Sequence, residues 1–145
     1  MDGQTFEVTM ELKTGYEFQV DFHQDAVPPL TVDEPPPLGE GHGPNPARLL
    51  AAAVVDCLAA SFLHCMRRSR IAVRSVHATA RGTIVRNDRG RLRIGGIEVT
   101  IQPEVAPEDR DRMGRCLELF EDFCIVTESV RHGIDVQVAV DPVAR

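Results

Sequence analysis

An α+β fold is predicted, and three observations predict it. Apolar and polar residues alternate in two short runs near the N-terminus. A single long run, 46–68, is apolar around most of a helical circumference. Alternation then resumes, is interrupted by a second helical stretch, and returns at the C-terminal end.

Phe6, Val8, Met10 and Leu12 alternate with polar neighbours, as do Tyr16, Phe18, Val20 and Phe22. With Thr14-Gly15 as the turn between them, residues 5–23 read as a β-hairpin. Residues 24–45 are rich in proline and glycine around Pro35-Pro36-Pro37, which predicts a loop with a short strand at Leu30–Val32. A loop of that length inside a domain points to function or to an interface.

Asn45-Pro46 supplies a helix start: a capping side chain, then proline at the first helical position. The helix Pro46–Arg68 carries only Arg48 and Asp56 as charges before its end, where Arg67 and Arg68 complement the dipole. A helix so apolar belongs at the centre of a domain or across a subunit interface, and burial on all sides is expected. Residues 71–85 and 92–101 read as strands around a turn at Asn87–Gly90, with Pro103 ending the second. Pro107 opens a helix over Glu108–Phe123. A break near Cys124, a short helix to His132, a cap at Gly133 and a last strand through Ile134, Val136, Val138 and Val140 follow. The early hairpin cannot bury its apolar face alone, so it is expected to complete another subunit's sheet or to cover the long helix.

The 145 residues fit a single domain over 1–145, large enough to fold without a metal or disulfide scaffold. A net charge of −6 argues against nucleic acid and against an anionic membrane surface as partners. No unbroken apolar run reaches the roughly 18 residues of a membrane span, and no basic-then-apolar leader opens the chain. A soluble, cytoplasmic protein is expected. Fifteen of the 16 basic residues are arginines; Lys13 is the one cation before Arg48, so the N-terminal third is acidic.

The cysteines are Cys57, Cys65, Cys116 and Cys124, and none forms a CxxC pair. At about 100° per residue, Ser61 and His64 fall within about 40° of Cys57 on the helix, but His64 is about 10 Å further along the axis, too far to act as its base. The five histidines are scattered and form no HxxxH pair, so neither a metal site nor a cofactor is expected.

The run GPNPARLLAAAVVDCLAASFLHC resembles the central-helix signature of the OsmC/Ohr family, the osmotically inducible and organic hydroperoxide resistance proteins. The later run FCIVTESVRHGIDVQVAV is similar to the family's second cysteine segment, at the head of a short helix that feeds the last strand. The resemblance covers about residues 43–141. It implies an intertwined homodimer with active sites at the interface, and thiol-dependent reduction of organic hydroperoxides. Cys57 would be the peroxidatic thiol and Cys124 the resolving one, with an external dithiol as reductant. Cys65 and Cys116 match neither family position and read as packing residues.

Two positions depart from the family pattern. Ala47 stands where the peroxidase branch carries a glutamate that orients an arginine over the reactive thiol, and no arginine precedes Arg48. A free thiol has a pKa near about 8.5, burial raises it, and Asp56 beside Cys57 would raise it further. Activation is therefore expected to need a cation. Lys13, Arg48 and an arginine of a partner subunit are the candidates, although Arg48 lies on the face of the helix opposite Cys57. Glu40 and His42, in the loop before the helix, are candidates for lining the site, as is Ser61. The acidic, proline-rich loop and the apolar helix together suggest a pocket for bulky organic hydroperoxides rather than hydrogen peroxide. The same residues also admit a second reading: an OsmC-like dimeric binding, structural or redox-sensing module without peroxidase activity.

Overall fold

The computed structural model describes residues 3–144; the first two residues and Arg145, included in the expected single domain, lie outside them. The elements run β1 (Thr9–Thr14), β2 (Glu17–Asp21), β3 (Leu30–Val32), α1 (Pro46–Arg68), β4 (Val73–Arg86) and β5 (Leu92–Val105). A 3₁₀ turn (Pro107–Arg112), α2 (Gly114–Leu119), a second 3₁₀ turn (Phe120–Phe123) and α3 (Ile125–His132) complete them. Mixed α and β elements, with a hairpin, antiparallel sheets and one long helix, match the predicted class. The chain divides into two compact units, Met1–Ala52 with Gly82–Ile97, and Ala53–Arg81 with Glu98–Arg145.

In the first unit β1, β2 and β3 form an antiparallel sheet in that order. Met10 pairs with Val20 and Leu12 with Phe18, and the register slips between Leu12 and Thr14 before Gly15 turns the chain at a φ of 56°. Phe18 and Val20 then pair with Val32 and Leu30, so the short strand forms where it was expected. Val20 and Val32 are buried, while Met10, Leu12 and Tyr16 stay exposed. The loop after β3 folds around Asp33, which is 3 % exposed. Its carboxylate accepts backbone N–H groups from Glu34 (2.8 Å), His42 (3.1 Å) and Glu40 (3.3 Å). Those bonds to an ionised acceptor give the proline-rich segment one conformation without regular structure. The Oδ1 of Asn45 accepts the Arg48 N–H at 3.0 Å, so α1 starts with the expected cap.

The β4–β5 turn closes as expected. Asn87 Oδ1 accepts from the N–H groups of Arg89 (3.0 Å) and Arg91 (2.9 Å), and Gly90 takes a φ of 75°.

The second unit is built on α1. Val54, Leu58, Phe62 and Met66, each four residues on from the last, form its buried stripe. Phe62, Met66, Ile71 and Cys116 make the core, joined by Val73, Ile101, Val105, Met113 and Phe120. The ring of Phe62 meets that of Phe120 edge to face, at 5.6 Å and 80°.

Several expectations are corrected. Within one chain α1 is buried along one stripe and not on all sides, so of the two expected settings the centre of a domain does not hold, because a single chain offers too little apolar surface to enclose it. By length and composition α1 is also apolar enough to cross a membrane, although its charges interrupt the apolar run. Pro103 does not end β5, which continues to Val105: in a two-stranded sheet one side of each strand needs no N–H donor. The helix over 108–123 is three short pieces, interrupted at Met113 and again where α2 passes into the second 3₁₀ turn at Phe120. Ile134, Val136, Val138 and Val140 form no strand and are exposed, since alternation makes a strand only where another strand offers its ladder.

Candidate functional site

Two elements of the second unit bring Cys57 and Cys124 together. Cys57 stands on α1, one residue before the buried Leu58, and is half-buried. Cys124 is fully buried and forms the extended residue from which α3 starts, with φ −84° and ψ 101°. Its N–H is held by the Glu121 carbonyl at 3.0 Å, and its own carbonyl accepts the Glu128 N–H at 3.1 Å. The sequence breaks the helix here for a physical reason: a residue at that boundary keeps a non-helical backbone while opening the next set of helical bonds.

The two thiols interact, and each shifts the other's ionisation. Burial pushes the Cys57 thiol up, and its hydrogen-bonding interaction with Cys124 pushes it further. Burial also opposes ionisation of Cys124, but donation from Cys57, the Thr127 hydroxyl and the N–H groups of Thr127 and Val126 outweighs it and takes Cys124 below the usual thiol range. The Val126 and Thr127 N–H groups pull Cys57 down as well, though not enough to reverse its shift. The proton of the pair therefore rests on Cys57, and the negative charge is best accommodated on Cys124. Thr127, 5 % exposed, completes the arrangement: its Oγ1 accepts the Cys124 thiol at 2.9 Å.

The sequence asked for a cation at this point. What faces the sulfurs is the amino end of α3, whose unpaired N–H groups favour a thiolate in the same way. The sequence carries that signal only as the short helix after Cys124; that its first N–H groups face Cys57 depends on how α3 meets α1.

The other candidate residues are placed as follows. Ser61 lies on α1 with His64, and both line a groove beside Cys65. Lys13, at the end of β1, belongs to the first unit, as do Glu40, His42 and Arg48. His42 Nδ1 lies 2.7 Å from Glu17 Oε1, and that contact holds its pKa above the ordinary value. Glu40 supplies the backbone N–H already described to Asp33. Glu17, Asp33 and His42 bring potential ligand atoms within 4.8 Å of one another, a cluster the scattered histidines did not suggest. Its lone pairs are already engaged: Asp33 holds three N–H groups, and Glu17 holds His42. Backbone donors hold the Asp33 carboxyl below the usual carboxylate range, so the cluster reads as a loop clamp.

Cys65 and Cys116 correct the sequence reading. They are not separate packing residues but a disulfide, with Cα atoms 5.7 Å apart. Each segment read alone gave no sign of this, because the pairing depends on how α2 lies against α1.

Comparisons with known proteins agree with this architecture. The family of OsmC-like proteins matches residues 39–139. An OsmC-like protein from Mycoplasma pneumoniae is similar at a TM-score of 0.74 and 15 % identity, over 90 % of this chain and 89 % of that one. An OsmC-like protein of unknown function from Vibrio cholerae gives 0.72 and 15 %, over 88 % and 94 %. An organic hydroperoxide resistance protein OsmC from Legionella pneumophila gives 0.64 and 17 %, over 94 % and 96 %. At such identities these structures speak for the fold. A comparison with curated proteins finds no match. With its family match spanning most of its length, this chain belongs to the OsmC-like proteins.

Proposed function

We propose that the protein is a thiol-dependent peroxidase of organic hydroperoxides, with Cys57 as the attacking thiol and Cys124 as the resolving one. The observation that carries this reading is the meeting of the two thiols at the start of α3. Cys57 is the more accessible sulfur, so it is the one a peroxide meets. When Cys124 is ionised, passage of the Cys57 proton to it, against the resting preference of the pair, leaves a Cys57 thiolate facing the Val126 and Thr127 N–H groups.

The thiolate attacks the distal oxygen of the hydroperoxide. A sulfur–oxygen bond forms, the oxygen–oxygen bond breaks, and the alkoxide takes a proton from solvent and leaves as an alcohol. Cys124 then attacks the Cys57 sulfenic acid, forming the disulfide and releasing water that takes the Cys124 proton. An external dithiol restores both thiols by exchange and leaves as its own disulfide. The exposed apolar residues of β1 and of the 134–140 segment support a homodimer in which each chain covers the other.

Consumption of cumene hydroperoxide, with dithiothreitol as reductant, tests this reading. Wild type should turn over and Cys57→Ser should not. Hydrogen peroxide should be the poorer substrate; equal turnover would remove the preference for organic peroxides. Ala47, in place of the family's glutamate, favours a second reading as a redox-sensing module. Equal rates for wild type and Cys57→Ser would leave that second reading standing.

A further inference from the structure

The Cys65–Cys116 disulfide takes no part in that cycle. On α1 Cys65 follows Cys57 by eight residues, and Cys124 follows Cys116 by the same interval, so the two pairs are rungs between segments that run in opposite directions. Eight residues of helix separate the rungs by about 12 Å, far beyond sulfur–sulfur exchange. The second pair must therefore be reduced, if at all, by a thiol of its own.

We propose that Cys65–Cys116 is a separate thiol–disulfide exchange site, attacked at Cys65 by a small thiol that carries a negative charge. Three features of the second unit carry this. Access is one-sided: Cys65 is half-buried and lines a groove of about 760 Å³, whereas Cys116 is 1 % exposed. The groove is cationic in a chain of net charge −6, since Arg68 and Arg115 line it and, among the described residues, no carboxylate does. Its wall of Leu119, Phe120 and Phe123 gives the carbon skeleton of a small thiol an apolar surface.

The departing sulfur is provided for as well. Ser69 Oγ lies 3.5 Å from Cys116 Sγ, where the hydroxyl donates to a sulfur gaining charge. Ser69 is itself held by Arg112, whose Nη2 donates to its carbonyl at 3.0 Å and whose Nη1 pairs with Asp109 at 2.7 Å. In the exchange the incoming thiolate forms a bond to Cys65 Sγ and the Cys65–Cys116 bond breaks. Its electron pair stays on Cys116 as the thiolate. A second thiol attacking the mixed disulfide then frees Cys65 and leaves as the oxidised small thiol.

The test uses the wild-type protein with its disulfide intact, under native conditions and at low ionic strength. Glutathione (anionic) and cysteamine (cationic) are offered at equal thiolate concentration, and adducts are located by peptide mass spectrometry. Glutathione should add to Cys65, with Cys116 free, about tenfold faster than cysteamine, and salt should erode the difference. Arg68→Gln with Arg115→Gln should abolish the preference without slowing cysteamine. Equal rates for the two thiols, adducts on Cys116, or no adduct on this pair would each overturn the proposal.

Discussion

The Cys124 thiol donates to the Thr127 hydroxyl at 2.9 Å, across the first turn of the helix that Cys124 opens. When Cys124 ionises, the same hydroxyl reverses and donates to the thiolate. Thr127→Val keeps the shape and removes the donor. It should cost about 1.5 kcal/mol of thiolate stabilisation, or roughly tenfold in thiolate population at a given pH. Thiolate absorbance followed against pH checks this, and an unchanged titration would deny the hydroxyl its role.

The pair titrates as a unit, so removing either sulfur changes the other. In wild type the first proton should leave below the usual thiol range, because Cys124 is shifted down. Cys124→Ala leaves Cys57 with its burial but removes the partner that pushes it further up, so Cys57 should ionise at a lower pH than it does in wild type. Peroxide reduction by that variant should follow the Cys57 titration, rising with pH over a lower range than Cys57 ionisation in wild type, and stall after one equivalent. Mass spectrometry of trapped sulfenic acid reports the stall.

His42 and Glu17 give a second pH dependence, in the first unit. His42 is shifted upward chiefly by its hydrogen bond to Glu17, so its protonated form contributes stability in full below the ordinary histidine value of about 6.5. That contribution is lost as pH rises through the higher folded value. Asp33 runs the other way: its contribution is present above the carboxylate range and is lost as pH falls through its lowered value. Titration of the His42 ring by NMR should show the raised midpoint, and Glu17→Gln should lower it.

Phe62 is 2 % exposed and packs against Phe120, Met66 and Cys116 beside the disulfide. Phe62→Ala should cost about 3–5 kcal/mol, through lost transfer energy and the cavity left behind. The urea midpoint should fall while the slope stays as in wild type. A loss under about 1 kcal/mol would show that the site collapses around the gap.

Local chemistry made some elements legible and long-range pairing hid others. Asn45-Pro46 and the terminal Arg67-Arg68 mark the ends of α1, and Asn87–Gly90 marks the β4–β5 turn, because caps and turns act within a few residues. Ile134–Val140 alternates like a strand and is not one, because pairing depends on a neighbour that the segment does not contain. Cys57 and Cys124 could be named through the family resemblance, yet the Val126 and Thr127 N–H groups facing them follow only from where α3 starts. The Cys65–Cys116 bond is invisible in either segment alone, since only the packing of α2 on α1 aligns the equal intervals.

Addition of one equivalent of cumene hydroperoxide to the protein without reductant, followed by mapping of the cysteine-containing peptides, addresses the redox cycle most directly. The account predicts one alcohol formed per chain, both free thiols lost, and a new Cys57–Cys124 bond beside an unchanged Cys65–Cys116. Peroxide left unconsumed, or both free thiols still present after it is consumed, would contradict it.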